Sequence, residues 1–461
     1  MEFGFEYIIT LWAWTAVIFA LVFTLDDLFI DVVALFKRLK PRAMNIETLS
    51  KIKHGPEGKV AIMIANWKEA EVLGPMIKGN IRGIKYGNYT FFLGVYPNDL
   101  ATWAKASDLS QQFPDKVVVV VNSHQGPTSK GQMLNEIAAR IVQSEKETGV
   151  AYDYFLMQDS EDVLHPHSLS LLNYYGQDAD FTQIPVFSFD VSLKSFVGGT
   201  YLDEFSEVHT KDLLVREALG AAIPSAGVGT FMSRRLISEL MLHQDGGFLR
   251  EDSLTEDYQL GMTVKKLGYR SQFLCVELTD EKGHKDFIAT REYFPSKFTA
   301  SVRQKSRWTL GITYQGLQHL GWQGTAIDRY FLFRDRRGPI NSVLIVFSLL
   351  LMFALIAFRA IYGALPDGLD NVVFGSLVAV NMFNMLFRLV QRMRSVHRVY
   401  GFAQVFQVPL RWLVANTVNV CASYRAHRTF GESLRTGQRP QWVKTDHELP
   451  AQFGQDVEVQ L

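Results

Sequence analysis

Tyr154-Phe155-Leu156-Met157-Gln158 runs directly into Asp159-Ser160-Glu161-Asp162, and the fold is decided by how this stretch is read. A short, β-prone run of this kind reads as a strand. Three carboxylates within the next four residues mark its C-terminal end as a place where charge is handled. Towards the N-terminus, Lys59 to Ala65, Thr90 to Val95 and Lys116 to Val121 have the same character, with longer helical patterns between them. This alternation predicts an α/β domain, a mostly parallel sheet with helices on both faces. Ligands of such sheets lie beyond the carboxyl ends of the strands. The residues found there are Asn66-Trp67-Lys68-Glu69, Tyr96-Pro97-Asn98-Asp99 and His124-Gln125-Gly126-Pro127-Thr128-Ser129-Lys130. The absence of GxGxxG and GxxxxGKS/T motifs argues against a nicotinamide enzyme or a P-loop phosphatase.

The 461 residues are 48% hydrophobic and 20% charged, which suits a protein that is part soluble and part embedded. Lys plus Arg equals Asp plus Glu at 47 each, so there is no global basic field to gather nucleic acid. Cys275 and Cys421 have no ligand spacing, which disfavours a disulfide or zinc framework.

Tyr7 to Leu25 is uncharged and almost wholly apolar, close to the length that crosses roughly 30 Å of hydrocarbon. Only Glu2 and Glu6 precede it, so a retained anchor is expected rather than a signal peptide. Lys37, Arg38, Lys40 and Arg42 follow and place that end in the cytoplasm. Ile340 to Phe358, after Arg334, Arg336 and Arg337, and Val372 to Phe387, before Arg388, Arg392, Arg394 and Arg398, form an expected hairpin with both basic ends inside. Phe402 to Cys421 contains Pro409 and Arg411 and leads into a basic tail, so an amphipathic helix at the cytoplasmic interface is preferred to a span. The expected division is an anchor over 1–41, a cytoplasmic domain over 42–337, a transmembrane hairpin over 338–398, an interfacial and basic segment over 399–445, and a disordered tail over 446–461.

Three clusters carry chemistry. Asp159, Glu161 and Asp162 would repel one another unless a cation is shared, and Mg2+ or Mn2+ held jointly with diphosphate oxygens suits them. The same residues equally read as an acidic turn capping a helix. In Glu251-Asp252-Ser253-Leu254-Thr255-Glu256-Asp257, Asp257 reads as a general base for an acceptor hydroxyl or as an acid favoured at a helix start. Gln304, Arg307 and Trp308 share one helical face, where arginine can hold diphosphate and indole can face a sugar ring. Taken alone, they suit better a membrane-proximal helix with a snorkelling arginine and an interfacial tryptophan. His124, His165 and His167 read as surface histidines rather than zinc ligands. Arg234 and Arg235 either contact phosphate or begin a solvated helix.

Taken in order, these motifs give the domain a likeness: from about Lys59 to Trp308 it resembles the processive inverting glycosyltransferases of family 2, the group containing cellulose and hyaluronan synthases. The resemblance implies a GT-A-like fold. It implies that Asn66, Glu69 and Asp99 hold the nucleoside, and that Asp159 with Glu161 or Asp162 binds metal and diphosphate. It further implies that Thr255-Glu256-Asp257 supplies the catalytic base and that Gln304-x-x-Arg307-Trp308 closes over pyrophosphate and acceptor. Lys130 joins the expected substrate-binding set as part of GPTSK. That stretch, with YxDEFSE, VREALG, PSAGVGT, REYFP and RQKSRW, carries a closer likeness to an inner-membrane branch tied to phage adsorption and a surface polysaccharide, of N-acetylmannosamine or another N-acetylhexosamine.

The expected partners are therefore a nucleotide diphosphate sugar, a polysaccharide or lipid-linked acceptor, the bilayer and an outer-membrane export partner. Three spans would leave a polymer channel to be completed by a partner subunit or a homodimer. Single addition to a lipid phosphate carrier and an inactive export scaffold are the rival readings.

Overall fold

The computed structural model describes residues 2–243, 246–438 and 440, so the tail expected over 446–461 lies outside the described residues. Val60–Ala65, Tyr89–Val95, Val117–Val121 and Tyr154–Gln158 are strands, each within a residue of the run that predicts it. They form the centre and one edge of a seven-stranded sheet. From the other edge the order is Ser271–Phe273, Phe181–Gln183, Thr230–Ser233, Tyr154–Gln158, Val60–Ala65, Tyr89–Val95, Val117–Val121. All neighbours are parallel except Thr230–Ser233, which runs antiparallel to both of its partners.

Side-chain alternation builds a core on each face of this sheet. Ala61 and Met63 pack with Met133, Leu134 and Ile137 of the helix Lys130–Thr148. Val60, Ile62 and Ile64 pack with Leu73 and Ile77 of the helix Ala70–Gly83. Two three-stranded sheets flank the main one. In the first, Thr290–Glu292 lies between Val163–Leu164 and Val186–Ser188. In the second, Arg42–Asn45 pairs with Val276–Thr279, which also pairs with Lys285–Ile288.

Three helices, Gly4–Phe36, Gly338–Tyr362 and Val372–Tyr400, are long and apolar enough to cross a membrane by length and composition. The first continues past its apolar stretch into Asp26, Asp27 and Asp31, which meet cations from elsewhere. Asp26 accepts from Arg334 at 2.5 Å and from Arg337, Asp27 pairs with Arg337 and Arg388, and Asp31 pairs with Lys211.

Phe402 to Cys421 becomes a short helix, Phe402–Val405, and the start of a 29-residue helix, Val408–Thr436, with Pro409 in its first turn, where a missing N–H is tolerated. One face of the longer helix, with Val408, Arg411, Ala415, Val418, Ala422 and Ala426, is buried. It lies against the helices Phe298–Thr309, Phe196–Glu207 and Gly338–Tyr362. Arg411 is 1% exposed and holds Asp203 at 2.9 Å. Phe402, Phe406, Leu410, Leu413 and Tyr424 remain exposed along the outer side.

Candidate active site

The central strands end at a cleft of about 1120 Å³, its open mouth included. Ten of the twelve candidate residues line it: Asn66, Glu69, Lys130, Asp159, Glu161, Glu256, Asp257, Gln304, Arg307 and Trp308. Asp99 and Asp162 lie behind its wall. Asp99 caps the helix Leu100–Gln112, accepting from Thr102 N at 3.4 Å and from Lys68 N at 2.5 Å. Asp162 closes the acidic loop on itself, accepting from Asp159 N at 2.7 Å and from Thr290 Oγ1 at 3.4 Å. Burial, and then the charges of Asp159 and Glu161, raise its pKa well above the usual carboxylate range. Asn66 donates to Ile64 O and Gly94 O and accepts from Ser160 Oγ at 2.9 Å, so it joins two strand ends to the acidic loop.

Lys130 opens the helix capped by Ser129 and sets its Nζ 2.5 Å from Asp159 Oδ1. Burial disfavours its ammonium, but Asp159, Glu256 and Asp257 outweigh burial and raise its pKa. Asp257 lies in the first turn of the helix Glu256–Lys266, where Oδ1 accepts from Tyr258 N at 2.8 Å. Burial pushes its carboxyl pKa up, while Lys130 and Arg307 pull it back. Burial, and then Asp257, raise Glu256 to about 7. Gly227, at φ +79°, passes against Asp257: a β-carbon there would overlap Oδ2 and come within 3.3 Å of Lys130 Nζ. The loop is held from below, with Gln183 accepting from Ala226 N and donating to Val228 O, and Gln158 accepting from Gly229 N at 2.6 Å.

Across the cleft, Gln304, Arg307 and Trp308 come from the helix Phe298–Thr309. Its other side is anchored by Lys305, 2.6 Å from Glu204. The Arg307 Nε is buried with no hydrogen-bond partner among the described residues, and its guanidinium lines the cleft. Trp308 packs edge-on to Tyr201, with ring centroids 6.2 Å apart.

Trp67, Tyr96, Thr128 and Glu292 also line the cleft, although the motif reading gave them no role of their own. Trp67 and Tyr96 meet edge to face at 5.2 Å, and the Tyr96 hydroxyl lies 2.7 Å from Thr128 Oγ1. Their signal was aromatic character directly after a strand. Glu292 lies in REYFP, a stretch useful for its likeness but with no stated chemistry. Two histidines differ from expectation: His165 and His167 are half-buried beside the small sheet, while His124 is exposed. Arg234 and Arg235 sit away from the cleft, paired with Glu145 at 2.8 Å and Asp180 at 2.6 Å. Among the described residues, no three His, Cys, Asp or Glu side chains are gathered so as to hold a metal by themselves.

A mixed sheet with an acidic loop after its central strand, and a carboxylate and a guanidinium on two later helices, defines the GT-A-like class of α/β fold. The fold is similar to that of a mannosyltransferase from Pyrobaculum calidifontis, solved in complex with GDP-Man and Mn2+. The TM-score is 0.52 at 12% identity, covering 89% of this chain and 99% of that one. Residues 56–311 match Glycosyltransferase like family 2, and the chain belongs to that family. It is 36% identical over 456 residues to two curated proteins, Bacteriophage adsorption protein B of Escherichia coli K12 and Bacteriophage N4 adsorption protein B of Escherichia coli O157:H7. The alignment takes in 93% of this chain, which spans 61% of the length of those relatives.

Proposed function

We propose that this chain transfers a sugar, N-acetylmannosamine or another N-acetylhexosamine, with inversion from a nucleotide diphosphate donor to a growing surface polysaccharide. The observation that carries the reading is convergence: Asp159, Asp257 and Arg307, nearly 150 residues apart in sequence, face one cleft, with the Arg307 Nε unpartnered. Asp257 takes the proton from the acceptor hydroxyl as that oxygen attacks the anomeric carbon. The bond from that carbon to the phosphate oxygen breaks on the opposite face, and the pair leaves with the nucleoside diphosphate. Arg307 and Lys130 meet the charge that develops there. Trp67, Tyr96 and Thr128 offer a flat wall and two hydroxyls to a base, and Asn66, Glu69 and Asp99 shape the loop beneath it.

Asp159 and Glu161 face the cleft while Asp162 braces their loop, which fits an ion held by one or two carboxylates and completed by substrate oxygens. Mg2+ or Mn2+ bound there would neutralise the departing diphosphate. The three apolar helices and their basic flanks support an inner-membrane protein with its catalytic domain in the cytoplasm. The exposed stripe from Phe402 to Tyr424 supports the helix Val408–Thr436 lying at the interface. That the relatives are named for phage adsorption supports a surface glycan as product.

The test is to incubate purified protein with nucleotide sugars and Mg2+ or Mn2+, follow free nucleotide, and size the product. A ladder of oligomers made by one donor, abolished by chelator, is expected. A single sugar on a lipid carrier would replace the polymerase reading, and no nucleotide release from any donor would end the enzymatic one.

A further inference from the structure

Glu292 stands apart from the motifs used above. Its strand, Thr290–Glu292, pairs antiparallel with Val163–Leu164, Thr290 opposite Leu164 and Arg291 opposite Val163. Continuing that register by one places Glu292 opposite Asp162, the last residue of the acidic loop. On its other edge the strand pairs with Val186–Ser188, and Glu292 O accepts from Phe189 N at 2.9 Å. The backbone is thus clamped on both sides. Residues 290 and 292 share a face. The Thr290 hydroxyl reaches Asp162 on that face, while Arg291 turns the other way to Asp286 at 2.8 Å. The Glu292 carboxyl therefore points into the cleft, where it lies among the lining residues with Phe294 and Trp308. It makes no hydrogen bond or ion pair to another described side chain. Phe294 stacks on Tyr201 at 4.7 Å, and Trp308 packs against the same ring, so the carboxyl adjoins a rigid aromatic wall.

A fixed carboxyl beside aromatic faces, with its hydrogen-bonding capacity unspent, is suited to neighbouring sugar hydroxyls. We infer that Glu292 binds hydroxyls of the hexose carried by the donor and sets which sugar is accepted. This rests on the glycosyltransferase reading and names a residue that selects its substrate. A site built to hydrogen-bond a hydroxyl rejects an analogue lacking it, because the buried polar group is left unpaired.

The experiment uses the full chain and Glu292→Gln, with Glu292→Ala as a second variant. Both are assayed with UDP-N-acetylglucosamine, UDP-N-acetylmannosamine, UDP-glucose and GDP-mannose. Losing a hydrogen bond made by the Glu292 carboxyl lowers kcat/KM for the preferred donor by about tenfold. Discrimination among donors should narrow, while inhibition by the product nucleoside diphosphate with Mg2+ stays unchanged. Unaltered kcat/KM and discrimination would overturn the assignment. Weaker nucleoside diphosphate inhibition with a raised Mg2+ requirement would make Glu292 a cation ligand instead. Equal loss on every donor together with a lower melting temperature would make it structural. If the unaltered protein cleaves no donor, the enzymatic reading falls first and this one with it; only a variant result isolates Glu292.

Discussion

Asp257 carries a cost that its neighbours only partly relieve. As the proposed base it works deprotonated, and burial favours its protonated form, so turnover should fall on the acid side through a pKa above the ordinary aspartate value. Lys130 opposes that shift, so Lys130→Gln should move the acid limb of the pH–rate profile to higher pH and lower kcat. An acid limb that stays in place would show that Lys130 does not tune the base. Glu256 titrates with Asp257 as a coupled pair. Its folded pKa of about 7 lies above the ordinary 4.5, so its contribution to stability is complete below pH 4.5 and disappears as pH rises through about 7. Thermal melts across that window should lose part of their slope in Glu256→Gln. Gly227→Ala forces a positive φ on alanine and overlaps Asp257 Oδ2. With the base displaced, a kcat loss of about a hundredfold or more is expected, following the sensitivity of catalysis to small misplacements. Melting temperature and kcat measured together check this, and near-normal kcat would show that the loop yields.

At the level of elements, the helix Val408–Thr436 braces the active site without touching it. It packs along the helix that carries Arg307 and inserts Arg411 against Asp203. Arg411→Ala would leave Asp203 buried without its partner, at a cost of about 3–5 kcal/mol. Chemical denaturation in detergent measures it, and a change below about 1 kcal/mol would mean that water replaces the guanidinium. The four strands read from sequence reappear almost residue for residue because each is an unbroken run such as Val117–Val121, five valines long. Thr230–Ser233 was not legible: it is four residues long, and its antiparallel insertion depends on partners far away in sequence. Glu292 was hidden for the same reason, since a three-residue strand has no periodicity and only its register to Val163–Leu164 aims the carboxyl. Asp99 and Asp162 show the converse. Their positions in the motifs suggested direct contact, while a short side chain's pull towards nearby backbone N–H groups turns each into its own loop.

For the whole molecule, the apolar helices and the α/β domain are joined by charge as well as by chain. Asp27 meets Arg337 and Arg388, which flank two different apolar helices, and Asp27→Asn should loosen all three helices at their shared end. A lower melting temperature in detergent with donor affinity retained is the expected outcome. No change in melting would make that cluster dispensable.

The pairing of Arg42–Asn45 with Val276–Thr279 has a practical corollary for anyone seeking a smaller soluble enzyme. Trimming the protein to the span shared with its family, residues 56–311, would strip a strand from one sheet, uncover the flank of the arginine helix and leave Asp203 without Arg411 and Glu207 without Arg392. Such a fragment should be recovered as aggregate. A unit running from the first apolar helix through Thr436 is expected to stay soluble in detergent where the fragment does not.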